Sequence, residues 1–388
     1  MNYLARWDWP TMIFYILLAI LCSLILKCSI KYKKNPKYLR FLNMHINYKY
    51  IYYLLVIVIL VFIMCTRVIK GEIGGSDSLR YKYFFESFDY VHFSLKNILT
   101  MHGWEYIFFN SMYLIKVIGG NYTIFSILVY TIIVTCYIYY FDKNVDEESK
   151  WFVSLLFILP YLKSMNIVRN ILAASISLIG IEGIKRNNKK MFIGAFILAY
   201  LNHYISIVLL LFCLFCYCVP EKLYNTRKKI IIISFSSFIL TLIGIPIIKW
   251  LLSLTRYSGY LNRIDFSPFG YILYSMVFFV ILLFYNDFIK ELQKKDHTIY
   301  YKMIVFLSII VPPFTVVNGT QRLLLYFEIP RFVMYGDLYK VIERKVPKKY
   351  VKIFKICFII FIILWIIFRI WRMYASSGIM PYKNILFD

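Results

Sequence analysis

The chain has 388 residues, 61% hydrophobic and 17% charged, with a mean hydropathy of +0.67. Soluble domains carry about 45–50% apolar and about 25% charged residues, so this composition excludes a soluble enzyme and reads as a polytopic integral membrane protein. The net charge of +25 would suggest nucleic acid in a soluble chain. Here it is assigned to cytoplasmic loops, where membrane proteins concentrate Lys and Arg, and nucleic acid is excluded as a partner.

In chain order, Thr11–Leu26 is uncharged and runs into Lys27, Lys31, Lys33 and Lys34. A signal peptide would end at small residues, so this is a retained anchor. Further apolar stretches cover 49–69, 121–141, 151–165, 168–184, 191–202, 204–219, 230–250, 269–286, 301–317, 321–339 and 352–372. They predict an all-α fold, a single domain over 1–388 built as a bundle of about 12 transmembrane helices. Trp104–Ile118, interrupted by Glu105, Asn110 and Lys116, is predicted to be re-entrant or interfacial. Residues 70–103 form the main extracytoplasmic loop. Cys213, Cys216 and Cys218 lie in the apolar run Ile205–Val219 without the paired spacing of a zinc site. Neither a metal nor a cofactor is called for.

With the N-terminus outside, the inner segments 27–49, 143–150, 185–190, 222–229, 290–302 and 340–355 carry 28 of the 45 basic residues. This bias sets the orientation. The residues able to do chemistry then gather on the outer face. Gly74 and Gly75 permit positive φ and close backbone approach, which places Asp77 near the membrane surface. Asp77 reads either as a general base or hydroxyl-orienting carboxylate, or as the cap of the following helix; Arg80 follows it. Asn166 and Arg169 open an apolar helix, and an Arg just inside the membrane boundary is costly and usually functional. Its planar fork suits pyrophosphate, although headgroup snorkelling is the competing reading. His203 sits at a turn between apolar stretches, as an acid, base or phosphate donor or as a hydrogen-bonded turn residue. Arg322 opens another helix on the same face, and Tyr257, Tyr260 and Arg263 offer rings and charge for sugars. Within the spans, Glu328 and Arg331 are spaced to pair at i, i+3. No Walker loop or Rossmann fingerprint occurs.

The ordered motifs resemble the EpsG-like and Wzy-type bacterial polysaccharide polymerases, over about residues 70–340. They are Gly75, Asp77, Tyr81 and Tyr83; Trp104-Glu105-Tyr106-Ile107-Phe108; Asn166-Ile-Val-Arg169-Asn170; His203 with Ser206; Tyr257 with Tyr260; and Arg322 with Tyr326. The chain departs from the family pattern at Ile167-Val168 for Gly-Ile, at Asn170 for Gln, and after Glu105, where Pro-Gly is missing. The resemblance implies a multi-pass protein of the bacterial inner (cytoplasmic) membrane that polymerises undecaprenyl-pyrophosphate-linked repeat units into O-antigen, capsule or exopolysaccharide. Arg169 and Arg322, assisted by His203, would stabilise the pyrophosphate leaving group, and Asp77 would position or deprotonate the acceptor hydroxyl. Arg80, Glu105, Asn166, Tyr257, Tyr260 and Arg263 would bind substrate. Membrane lipid, a chain-length regulator and a flippase of the same pathway are the implied partners. Two other readings stay open at this point: a glycosyltransferase using a polyprenyl-phosphate sugar, and a lipid-linked oligosaccharide flippase. The long 70–103 segment and the lack of an internal repeat weigh against the flippase.

Overall fold

The computed structural model describes residues 4, 6–34, 37–41, 44–87, 106–254, 277–316 and 320–386. The described chain is helical apart from one antiparallel hairpin, β1 (Tyr38–Phe41) and β2 (Met44–Asn47), which pairs Arg40 with His45. The helices are α1 (Trp9–Lys34), α2 (Tyr48–Cys65), α3 (Ser76–Ser87), α4 (Tyr106–Val117), α5 (Tyr122–Asn144), α6 (Lys150–Leu156) and α7 (Ile158–Lys163). They continue with α8 (Val168–Lys185), α9 (Lys189–Asn202), α10 (Ile207–Cys218), α11 (Arg227–Ser253), α12 (Tyr285–Lys294), α13 (Thr298–Val316), α14 (Glu328–Lys345) and α15 (Val351–Ser377). The segment Thr320–Phe327 is a 3-10 helix leading into α14.

Among the described residues, five helices are long and apolar enough to cross a membrane: Trp9–Ser29, Tyr48–Cys65, Tyr122–Asn144, Arg227–Ile247 and Lys348–Tyr374. Tyr204–Cys218 and Thr298–Pro313 are apolar but shorter. Most of the apolar stretches foreseen from sequence are helices, yet among the described residues only these five qualify as spans by length and composition. The segment around 104–118 resolves into α4, whose 12 residues reach about 18 Å at 1.5 Å per residue. That is too short to cross a hydrocarbon core of about 30 Å. Its Phe108 and Met112 are fully buried, so it packs inside the bundle.

Helix ends follow local chemistry. The Asn47, Asn121 and Asn188 side chains accept from the backbone N–H groups of Lys49, Ile124 and Met191 and so cap α2, α5 and α9. α8 is the central helix, buried along nearly its whole length. Its Ala173, Ala174, Ser175, Ser177, Gly180 and Gly183 permit close helix approach. The Ser175 and Ser177 hydroxyls return to the Ile171 and Ala173 carbonyls at 2.6 and 2.8 Å, which satisfies them without a partner helix.

The basic segments that the charge bias groups together do meet at one end of the bundle. Lys295 pairs there with Asp146, with Glu291 at 2.9 Å and with Asp337 at 2.6 Å. Lys340 reaches Asp146 at 2.9 Å and Glu148 at 3.0 Å, and Arg344 reaches Glu291 at 2.5 Å. His297 Nδ1 lies 2.9 Å from Asp337. Nearby, Glu182 takes Asn144 at 3.0 Å and Arg186 at 2.6 Å.

Burial alone would raise the Asp146 and Glu291 carboxyls. The Lys295 and Lys340 ammonium groups around Asp146, and the Arg344 and Lys295 cations around Glu291, outweigh it and hold both below their ordinary values. A carboxyl depressed on folding contributes stability that is complete above its unfolded value, near 4, and is lost as pH falls through the folded value. We expect the detergent-solubilised protein to keep its Tm down to about pH 5 and to lose it progressively below about pH 4. Lys295→Met should lower the Tm at pH 7 and flatten that acid loss. An unchanged pH profile in this variant would show that the network carries no stability.

Candidate functional site

The end of the bundle opposite the ionic network is organised by a buried guanidinium. Arg67 follows α2 and is 4% exposed. Its Nε donates to the Gly74 carbonyl at 3.1 Å and its Nη1 to the Met64 carbonyl. Nη2 reaches Ser78 Oγ at 3.1 Å, Tyr130 Oη at 3.0 Å and the Met165 carbonyl at 3.3 Å. One side chain thus ties the end of α2, the glycine turn, the start of α3, α5 and the corner before α8.

The two glycines play the part foreseen for them. Gly74 and Gly75 have φ of +81° and +100°, and a Cβ on Gly75 would stand 2.0 Å from the Met165 carbonyl oxygen. The turn therefore presses α3 directly onto the 165–166 corner. Asn166 Oδ1 there accepts the Ser76 hydroxyl at 3.0 Å and the Asp77 amide at 2.9 Å. The N-terminus of α3 is thus capped by a residue of another element. The Asp77 carboxylate turns to the Arg322 guanidinium at 3.9 Å, with the Asp77 side chain 25% and the Arg322 side chain 47% exposed. Arg80, one turn along α3, is exposed.

Arg169, in the first turn of α8, has its guanidinium carbon 5.7 Å from the Tyr81 ring and 5.4 Å from the Phe109 ring, a cation–π setting between α3 and α4. His203 is 3% exposed at the C-terminal cap of α9. Its carbonyl accepts the Ser206 hydroxyl at 2.8 Å, and that oxygen lies 3.1 Å from the Tyr326 hydroxyl in a second hydrogen bond. Tyr326 belongs to the same 3-10 segment as Arg322, so His203 is linked to the site through Ser206 and Tyr326.

The structure brings together Asp77, Asn166 and Arg322, and joins Arg169 and His203 to the same end of the bundle. Glu105, Tyr257, Tyr260 and Arg263 lie outside the described residues. Sequence reasoning missed Arg67 and Tyr130. The signal available was a lone Arg directly after an apolar span, a position that is costly unless its donors are satisfied. Glu328 takes Lys163, on α7, at 2.5 Å, a partner that the i, i+3 reading on its own helix did not consider.

Helices fit to cross a membrane, with an ionic network at one end of the bundle and a carboxylate–guanidinium pair at the other, define a helical membrane protein. The family model of the EpsG family matches residues 49–384. The chain belongs to the EpsG family, in agreement with the resemblance carried by its motifs, and the membership supports a function of polysaccharide-polymerase type. No curated protein and no solved structure matches the chain.

The turn geometry orders two substitutions by severity. Asn166→Ala removes one acceptor from two donors and should cost about 1 kcal/mol, as for a lost helix cap. Gly75→Ala forces backbone apart at a positive φ and should exceed about 2 kcal/mol. Thermal unfolding in detergent should therefore rank Gly75→Ala below Asn166→Ala and both below wild type; the reverse order would sink the docking role assigned to Gly75.

Proposed function

We propose that the chain polymerises undecaprenyl-pyrophosphate-linked oligosaccharide repeat units into O-antigen, capsular or exopolysaccharide on the outer face of the bacterial cytoplasmic membrane. This reading takes the bundle as about 12 spans, with the Asp77 end outside. The observation that carries it is the approach of Asp77 and Arg322 to 3.9 Å, one carboxylate and one guanidinium delivered by distant segments onto an exposed face. Family membership supports the reaction class.

In the proposed step, a hydroxyl at the non-reducing end of the incoming repeat unit attacks C1 of the reducing-end sugar of the growing glycan. The C1–O bond to the pyrophosphate breaks as the new glycosidic C1–O bond forms. The hydroxyl proton passes to Asp77, and undecaprenyl pyrophosphate leaves as an anion. Arg322 and Arg169 provide positive charge where the leaving group develops negative charge. The rigid fork of Arg322 can take two phosphate oxygens at once. His203, whose backbone carbonyl accepts the Ser206 hydroxyl that also meets Tyr326, assists the two arginines at the leaving group. Because the base and one leaving-group cation are neighbours, acceptor and pyrophosphate are brought to one place, and much of the rate comes from that proximity.

The test is glycan laddering in a strain lacking the gene, complemented with wild type or variants matched for membrane level. Deletion should leave single repeat units and wild type should restore the ladder. Asp77→Asn should lower polymerisation by about 10²–10⁴-fold, the usual range for loss of a general base. Arg322→Lys should lower it by at least about tenfold through loss of the fork. Loss of even the single-repeat band on deletion would instead place the protein upstream, as a flippase or sugar-adding transferase.

A further inference from the structure

α8 begins with a polar side chain that the bundle leaves unanswered. Asn170, in its first turn, is 3% exposed. Among the described residues, neither its Nδ2 nor its Oδ1 has a hydrogen-bond partner. The other buried asparagines differ. Asn144 donates to the Tyr140 carbonyl at 3.1 Å and to Glu182 at 3.0 Å, and accepts Lys185 at 3.0 Å. Asn202 donates to the Leu198 carbonyl at 2.8 Å, and Asn166 accepts two donors from α3. A carboxamide carries two N–H donors and a carbonyl acceptor, and burying both ends unpaired costs stability. A residue kept at that cost is suited to a group that arrives from outside the chain.

Helix geometry gives the direction. Gly180 marks the face of α8 against α9 and α10, where an added Cβ would meet Leu209 at 2.8 Å and Ala195 at 3.6 Å. Glu182, hydrogen-bonded to Asn144, marks the face against α5. At about 100° per residue, Asn170 projects about 80° from the first face and about 120° from the second, into the sector between them. The elements packed on α8 outside those two faces include α7, the turn Tyr204–Ser206 and the Thr320–Phe327 segment. The last two are joined by the Ser206–Tyr326 hydrogen bond, and the segment carries Arg322. Asn170 thus stands between Arg169, its neighbour in the chain, and the segment that bears Arg322.

The chemistry of the amide narrows its ligand. A pyrophosphate offers acceptors alone; it would satisfy Nδ2 but set anionic oxygen against Oδ1. A hydroxyl or an acetamido group both donates and accepts, and so answers both ends of the amide. On a sugar joined through C1 to a phosphate, the substituent closest to the phosphate is the one on C2. An amide placed beside two guanidinium-bearing elements is therefore in position to meet that substituent while the arginines meet the phosphate.

We propose that Asn170 is a specificity-determining residue that hydrogen-bonds the hydroxyl or acetamido group on C2 of the sugar attached to the pyrophosphate. The assignment rests on the polymerase reading for the place of that sugar in the reaction. Asn170 moves no proton and forms no covalent bond; it selects the sugar next to the bond that breaks. At 3% exposure, its amide is reached as the Thr320–Phe327 segment shifts on α8 to admit the ring.

The test measures binding to the purified full-length protein in detergent, with glucose 1-phosphate, N-acetylglucosamine 1-phosphate, 2-deoxyglucose 1-phosphate and inorganic pyrophosphate as probes. Wild type should bind one of the two probes that keep the C2 group at least about tenfold more tightly than the 2-deoxy probe. A site built to pair with a polar group leaves its own amide unpaired when that group is missing. The tighter of the two tells hydroxyl from acetamido. Asn170→Leu, close in volume, should lose this discrimination and bind pyrophosphate as wild type does. It should also unfold at the same or a higher temperature, because it removes an unpaired buried amide. Asn170→Ala carries the binding comparison should the branched side chain prevent folding. Equal binding of all three sugar phosphates by wild type would mean that ordered water alone answers the amide, and overturns the assignment. So does a lack of sugar-phosphate binding, discrimination that survives in either variant, or a folded Asn170→Leu with a lower Tm, the mark of a structural asparagine. A deletion strain that still makes a full ladder removes the polymerase reading and leaves this comparison standing; a gene-dependent ladder without discrimination at C2 removes this assignment alone.

Discussion

The arrangement of the end of the bundle that carries Asp77 depends on one buried guanidinium. Arg67 carries a charge into the bundle at 4% exposure and distributes its donors over the Gly74 and Met165 carbonyls and the Ser78 and Tyr130 hydroxyls. A buried cation left without acceptors would cost several kcal/mol, so each of those groups is effectively obliged to be where it is. The elements that bring them are the glycine turn, α3, α5 and the corner before α8. Asp77 is one residue from Ser78 and Asn166 one residue from Met165. The position of the carboxylate is thus inherited from the hydrogen-bond demands of Arg67.

The bundle pairs its charges differently at its two ends. At one end, Asp146, Glu291, Asp337, Lys295, Lys340 and Arg344 form a closed network in which anions and cations satisfy one another. Such mutual satisfaction stabilises without leaving a site. At the other end, the pairing is deliberately incomplete in the physical sense: Arg322 is half exposed, and its approach to Asp77 at 3.9 Å exceeds hydrogen-bond distance. Between the two ends, the charges at Lys163, Glu328, Arg331 and Arg369 cap an apolar trough.

Much of this was legible in the sequence, and the parts that were not share a cause. Apolar runs mark helices because each must hide its backbone polar groups from lipid, and α1, α2, α5, α8 and α15 all fall within a few residues of the expected stretches. Gly74-Gly75, Asn166 and Arg322 were readable because turns and helix mouths have local chemistry. Whether Asp77 would be consumed as a cap was not readable, since the cap comes from Asn166, in a different element. The same holds for Glu328: an i, i+3 partner is visible in one dimension, but Lys163 arrives through packing of α7 against α14. Span number was also poorly determined, because helices such as α4 and α9, of 12 and 14 residues, are shorter than a transmembrane crossing needs.

The hydrogen-bond inventory separates a sealed arginine from an exposed one more sharply than sequence position does. A guanidinium offers five N–H donors. Arg67 commits its three nitrogens to backbone and hydroxyl acceptors and is sealed from solvent; anything added there would have to break existing bonds. Arg322 is half exposed beside the Asp77 carboxylate. Under the proposed function, an anion binding at Arg322 would exchange water for phosphate oxygen at an accessible guanidinium, a setting in which electrostatic stabilisation lowers a barrier. The same comparison explains why both residues follow or precede apolar segments and yet differ in setting: Arg67 is enclosed by four elements, whereas Arg322 stands half exposed on a single 3-10 turn at the rim.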